Sequence, residues 1–96
     1  WAAGQIFAAL KKHNIDKRTI VLWTSDNGAP RRNPPQGSNG PLGGWGYTTA
    51  EGGMRVPAIV RWPGFIPPNS ASDELSSLMD LLPTFTKLAS AKLPER

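Results

Sequence analysis

The chain has no cysteine, a single histidine and no apolar run that approaches the roughly 20 residues of a membrane-spanning helix. Without cysteine, disulfides and thiolate metal sites are excluded for these 96 residues. One histidine, His13, gives no Ser-His-Asp nucleophile arrangement to argue from. Positive charge is present but not gathered. The net charge is +4, and lysines and arginines are scattered from Lys11 to Arg96 with no basic stripe interleaved with aromatics. A nucleic-acid partner is therefore not expected. The start carries no secretory-leader pattern, and it opens on Trp1 rather than Met. The expectation is a piece of a longer protein or a processed one.

What the chain does have is glycine and proline, ten of each. They are concentrated in the middle, which points to long loops rather than general disorder. Ahead of them, "WAAGQIFAALKKHN" places Ala3, Phe7 and Leu10 at helical spacing, with Ile6 alongside and basic residues in the last turn. Asn14 is the expected stop. "TIVLWTS" is β-branched and continuously apolar, the pattern of a strand covered on both faces. From Asp26 to Gly53 neither a helix nor a strand is expected. "PAIVRW" reads as a second strand, closed by turns at Pro63-Gly64 and "IPPNS". In "DELSSLMDLLPTFTKLAS", Pro83 argues against one unbroken helix. The reading there is an extended piece at Leu75 to Leu78, then Asp80 near a helix N-terminus. The helix runs to about Ala89, with Leu81, Leu82, Phe85 and Leu88 as its apolar face. The fold class is α/β: two or three strands, two helices and a long Gly/Pro-rich loop.

In open α/β sheets ligands gather at the carboxyl ends of strands, and there "TSDNGAP" puts Asp26 and Asn27 side by side. A carboxylate and an amide carbonyl are hard oxygen ligands of the kind calcium or magnesium takes. Gly28 permits a bend that lets both face one ion. The same residues also suit a plain turn, since Asn-Gly is a common turn dipeptide. Both readings stand on these residues alone. Arg31 and Arg32 can meet an anion or simply be solvated charge. Trp45 and Tyr47 can line a pocket for a sugar or aryl ring, or anchor the loop. Glu51 is expected to bond backbone amides in a tight loop, and Thr48 and Thr49 are two loop hydroxyls able to donate. His13 reads as a solvated helix-end residue. "GGWG" has neither the lysine of a P-loop nor dinucleotide-fingerprint spacing.

Four stretches in order, "TIVLWTSDNGAP", "GSNGPL", "TTAEGGMRVPAIVRWPG" and "SSLMDLLPTFTKLA", resemble the later part of the sulfatase catalytic domain, of the arylsulfatase type. The resemblance covers nearly the whole chain. It implies an alkaline-phosphatase-like layered sheet, with residues 1–96 as a partial catalytic domain. It further implies a calcium-dependent hydrolase of sulfate monoesters. Asp26 and Asn27 correspond to two calcium ligands of the family. The other carboxylate ligands and the formylglycine nucleophile, made from a Cys/Ser-x-Pro/Ala-x-Arg signature, have no counterpart in these residues, so the isolated chain is expected to lack activity. Where the family commonly carries a sulfate-contacting lysine, this chain has Gly46, and Arg31 or Arg32 are the cations that could replace it. The implied partners are a small-molecule sulfate ester, sulfated sugars included, and the remainder of the domain. An exported or lysosomal location is implied by the resemblance alone. Two alternatives remain at this point. One is a catalytically silent homologue or binding module. The other is a metal-dependent phosphatase or phosphodiesterase of the same superfamily, against which the amide of Asn27 counts because zinc prefers nitrogen.

Overall fold

The computed structural model describes residues 1–34 and 36–92. Ala2–Lys12 form α1, rich in alanine and straight-chain residues that lose little freedom in a helix. Lys11 and Lys12 sit in its last turn, where the helix dipole favours cations. The helix ends at His13, and Asn14 turns the chain with φ 55°, a left-handed conformation that asparagine tolerates. A 3-10 turn, Asp16–Arg18, then leads into β1, Val21–Thr24. A one-turn helix α2, Glu51–Met54, precedes β2, Ala58–Arg61. A second 3-10 turn, Leu78–Asp80, runs directly into α3, Leu81–Leu88.

β1 and β2 pair antiparallel, with Val21 opposite Arg61, Leu22 opposite Val60, Trp23 opposite Ile59 and Thr24 opposite Ala58. Because side chains alternate across a strand, the ribbon has two distinct faces. Leu22 and Val60 share one face with Ile20 and Trp62, and together with Phe65, Ile66 and α3 they line an apolar groove of about 380 Å³. Arg61 belongs to the other face, where its guanidinium lies 4.8 Å from the ring centre of Phe7 on α1. The expectation that "TIVLWTS" is covered on both faces is corrected here. Trp23 is 56% exposed, because β1 pairs with β2 alone among the described residues and the face that carries Trp23 is only partly covered.

Arg61 ties β2 to the start of the chain. Its Nη1 and Nη2 donate to Asp16 Oδ1 and Oδ2 at 2.7 and 2.9 Å, a bidentate pair. Trp62 Nε1 adds a bond to the Lys17 carbonyl at 3.1 Å. The Arg61 hydrogen bonds hold the Asp16 carboxyl below the usual carboxylate range. A depressed pKa means that the stabilisation is complete above the unfolded value, about 3.9 for aspartate, and is lost as pH falls through the folded one. Urea titrations of wild type and Asp16→Asn should therefore show a constant wild-type advantage from neutral pH to about 5, shrinking at lower pH. An advantage that grows on acidification would overturn this account.

The C-terminal helix begins on a capping box. Ser77 Oγ accepts from Met79 N at 3.0 Å, and Ser77 N donates to Asp80 Oδ2 at 2.7 Å. Pro83 falls in the first turn of α3, where a backbone N–H has no intrahelical partner to lose. Leu81, Thr84, Phe85 and Leu88 face the groove, but Leu82 is 63% exposed. That corrects the expected apolar face. Residues three, four and seven beyond Leu81 share its side, and Leu82 lies about 100° round the helix. A second correction concerns Glu51, which starts α2 and pairs with Arg55 Nη1 at 3.2 Å across one turn rather than bonding loop amides.

Candidate functional site

No apolar side chain is buried among the described residues. The buried positions are Gly28, Gly46, Gly52 and Gly53, all in or beside the long loop. They mark a knot of main chain. Gly28 N donates to the Gly53 carbonyl at 3.0 Å, Gly46 N to the Ala29 carbonyl at 2.9 Å, and Gly52 N to the Gly43 carbonyl at 2.7 Å. Glycine is required because backbone meets backbone with no room between. A Cβ on Gly28 would overlap the Gly52 carbonyl oxygen, and one on Gly46 would overlap that of Gly28.

Asn39 fastens the knot. Its Oδ1 accepts from Ala29 N at 2.6 Å, while its Nδ2 donates to the carbonyls of Ala29 at 2.9 Å and Gly44 at 3.2 Å. A side-chain amide presents the same donor and acceptor as a peptide group, so Asn39 pairs with Ala29 as a neighbouring strand would. Sequence reasoning passed over Asn39. Its one signal was an asparagine set between small residues in "GSNGPL".

Asp26 and Asn27 stand where β1 enters this knot. Ser25 Oγ donates to the Asn27 carbonyl at 2.8 Å, closing a local turn. Asn27 N donates to Asp26 Oδ1 at 3.0 Å, and Asn27 Nδ2 to the Gly28 carbonyl at 2.9 Å. Among the described residues no hydrogen bond engages Asp26 Oδ2 or Asn27 Oδ1. The corner thus keeps one carboxylate oxygen and one amide oxygen free, and Asp26 is exposed. As a donor set these are hard oxygens, suited to calcium or magnesium. They form part of a shell only, since calcium takes about six to eight oxygens. No group of three or more His, Cys, Asp or Glu side chains able to hold a metal occurs among the described residues.

The other sequence candidates separate. Gly46 lies beside the corner, since a Cβ placed on it would come 3.2 Å from Asn27 Nδ2. Tyr47 follows it, 80% exposed and at φ 69°. Trp45 is partly exposed, and its carbonyl accepts both the hydroxyl and the N–H of Thr48, at 2.6 and 3.2 Å. The Thr48 hydroxyl is thereby committed to the turn, and Thr49 is exposed. Arg31 and Arg32 are exposed, and no ion pair involves either among the described residues. His13 caps α1 in solvent. No helix among the described residues is long and apolar enough to cross a membrane.

Comparison with known proteins places this arrangement in context. The family model described as Sulfatase matches residues 1–91. Rat steryl-sulfatase is 45% identical over 100 residues, covering 98% of this chain and 17% of that protein. Rat N-acetylgalactosamine-6-sulfatase is 46% identical over 95 residues, covering 97% and 18%. The crystal structure of Ps i-CgsB in complex with k-i-k-neocarrahexaose superposes with a TM-score of 0.87 at 37% identity, covering 95% of this chain and 20% of that one. The chain spans about a sixth of the length of the curated relatives it matches.

Proposed function

This chain belongs to the sulfatase family, and from that premise we propose that it forms part of the catalytic domain of a calcium-dependent sulfatase acting on aryl or carbohydrate sulfate monoesters. The observation that carries the proposal is the Asp26–Asn27 corner, with two unengaged oxygens at the carboxyl end of β1 and a glycine knot behind it. Calcium bound there would supply Lewis acidity toward the sulfate oxygens. This chain's own contribution is to present the two oxygens at a fixed separation. Main-chain packing at Gly28 and Gly46 fixes the backbone, and the Nδ2 bond to Gly28 fixes the Asn27 amide. Arg31 and Arg32, uncommitted on the same loop, offer positive charge to an incoming sulfate. The nucleophile and the remaining ligands are assigned to the rest of the domain.

The apolar groove between the sheet and α3 supports the same division. A folded domain normally buries such a surface, and here Leu22, Val60, Phe85 and Leu88 line it without closing it. The remainder of the polypeptide is the proposed cover. A second reading, a catalytically silent homologue, is favoured by one observation: Gly46 leaves no room for a cationic side chain beside Asn27.

One experiment separates the readings. The complete polypeptide should hydrolyse 4-nitrophenyl sulfate or a monosaccharide sulfate, lose that activity in a calcium chelator and regain it with added calcium. The 96 residues alone should show none. Inactivity of the complete protein on both ester types would select the silent homologue, and chelator-resistant turnover would remove the metal role from Asp26 and Asn27.

A further inference from the structure

Residues 45–48 form a tight turn, with Thr48 N bonded to the Trp45 carbonyl at 3.2 Å. Gly46 and Tyr47 are its two central residues. Only the second has positive φ, 69°, whereas Gly46 does not. A turn with positive φ at its second central position calls for glycine or asparagine there. The chain does the reverse: its glycine stands at the position that needs none for φ, and a bulky aromatic occupies the strained one. Gly46 has its own reason, the contact with Gly28 and Asn27. Tyr47 has no such local reason. Its side chain is four-fifths exposed, and it makes no hydrogen bond or aromatic contact among the described residues. Nearby, at φ 91°, the loop uses glycine as expected, at Gly44.

A strained residue whose side chain makes no hydrogen bond or aromatic contact among the described residues is a candidate for function. We propose that Tyr47 is a specificity-determining residue that offers its ring as a platform for the cyclic group of the ester. This rests on the sulfatase reading above. Its Cα lies one peptide unit, about 3.8 Å, from that of Gly46, where an added Cβ would come 3.2 Å from Asn27 Nδ2. An uncharged ring at the rim of the corner discriminates among the alcohols attached to sulfate, not the sulfate itself. The face of a phenol stacks on an aryl ring or on the apolar face of a sugar, and these two sources share the same chemistry.

The test uses the complete protein with three substrates: 4-nitrophenyl sulfate, a monosaccharide sulfate and acyclic hexyl sulfate. Tyr47→Gly relieves the strain, so its Tm should equal or exceed the wild-type value. Its KM should rise about three- to tenfold for a cyclic ester and stay unchanged for hexyl sulfate. Tyr47→Phe should keep the wild-type KM values. A rise confined to the aryl ester, or to the sugar ester, identifies which ring is stacked. The proposal is overturned by unchanged KM values, by an equal rise for hexyl sulfate, or by a fall in Tm that tracks the kinetic change. Wild-type protein inactive on all three esters would bring down the sulfatase reading and this proposal with it. An active wild type without the KM split defeats the Tyr47 assignment alone.

Discussion

Gly28→Ala should cost about 3 kcal/mol of stability and strip hydrogen-exchange protection from the amides of Gly28, Gly46 and Gly52 together. The added Cβ would overlap the Gly52 carbonyl. That carbonyl cannot swing aside freely. The Gly52 N–H is held by Gly43, and the next carbonyl, of Gly53, accepts from Gly28 itself. Relief therefore requires the two segments to part, which also breaks the Gly28–Gly53 bond, worth about 1 kcal/mol. The same substitution at Gly4 is the control. Nothing lies within 4 Å of a Cβ there, and alanine in the first turn of α1 should be neutral or stabilise by up to about 0.5 kcal/mol. Urea denaturation of both variants in the complete protein reads the contrast. Equal stabilities would mean that the glycine knot is not a packing requirement.

Asp26→Ala should reduce kcat/KM for sulfate ester hydrolysis at least about a hundredfold, since even outer-shell partners of metal sites are typically worth about 10- to 100-fold. Stability should barely change, because Asp26 is exposed and its one bond is to the adjacent Asn27 N–H. Asp26→Asn keeps an oxygen and loses the charge. It should fall between the two, with part of the loss recovered at raised calcium, as expected when affinity is the quantity impaired. Asn27→Ala differs in kind, because it also removes the Nδ2 bond to the Gly28 carbonyl. Loss of both activity and stability is expected there. Should Asp26→Ala retain full activity at limiting calcium, the corner is a turn and nothing more.

The position of this corner was legible because it depends on local pattern. A β-branched run ends in Asp-Asn-Gly, and the structure puts the end of β1 at Thr24, two residues before Asp26. The two long helices were legible for the same reason, down to Asp80 at the N-terminus of α3. The knot was not. Gly28 needs to be glycine because of Gly52, and Asn39 matters because of Ala29 and Gly44. Such reasons lie in contacts across five to twenty-four positions, which no periodicity records. Loop residues 26–53 accordingly read as structureless, although main-chain bonds organise much of them. The single turn of α2 was missed because "EGGM" carries two glycines, each unfavourable in a helix. Leu82 was misjudged by composition, as one apolar residue too many for the stripe that α3 presents.

A cradle held by main chain and one side-chain amide, that of Asn39, has an uneven relation to change. At its glycines every alternative amino acid adds atoms where none fit, so those codons have almost no neutral neighbours. Around the mouth, Arg31, Arg32 and Tyr47 project outward and help to hold nothing in place among the described residues. Variation there leaves the frame beneath undisturbed and, on the proposed reading, would alter which molecule is admitted. If the proposed sulfatase role holds, a lineage built on this scaffold would move from one ester to another by exchanging its fringe while the innermost backbone stays as it is.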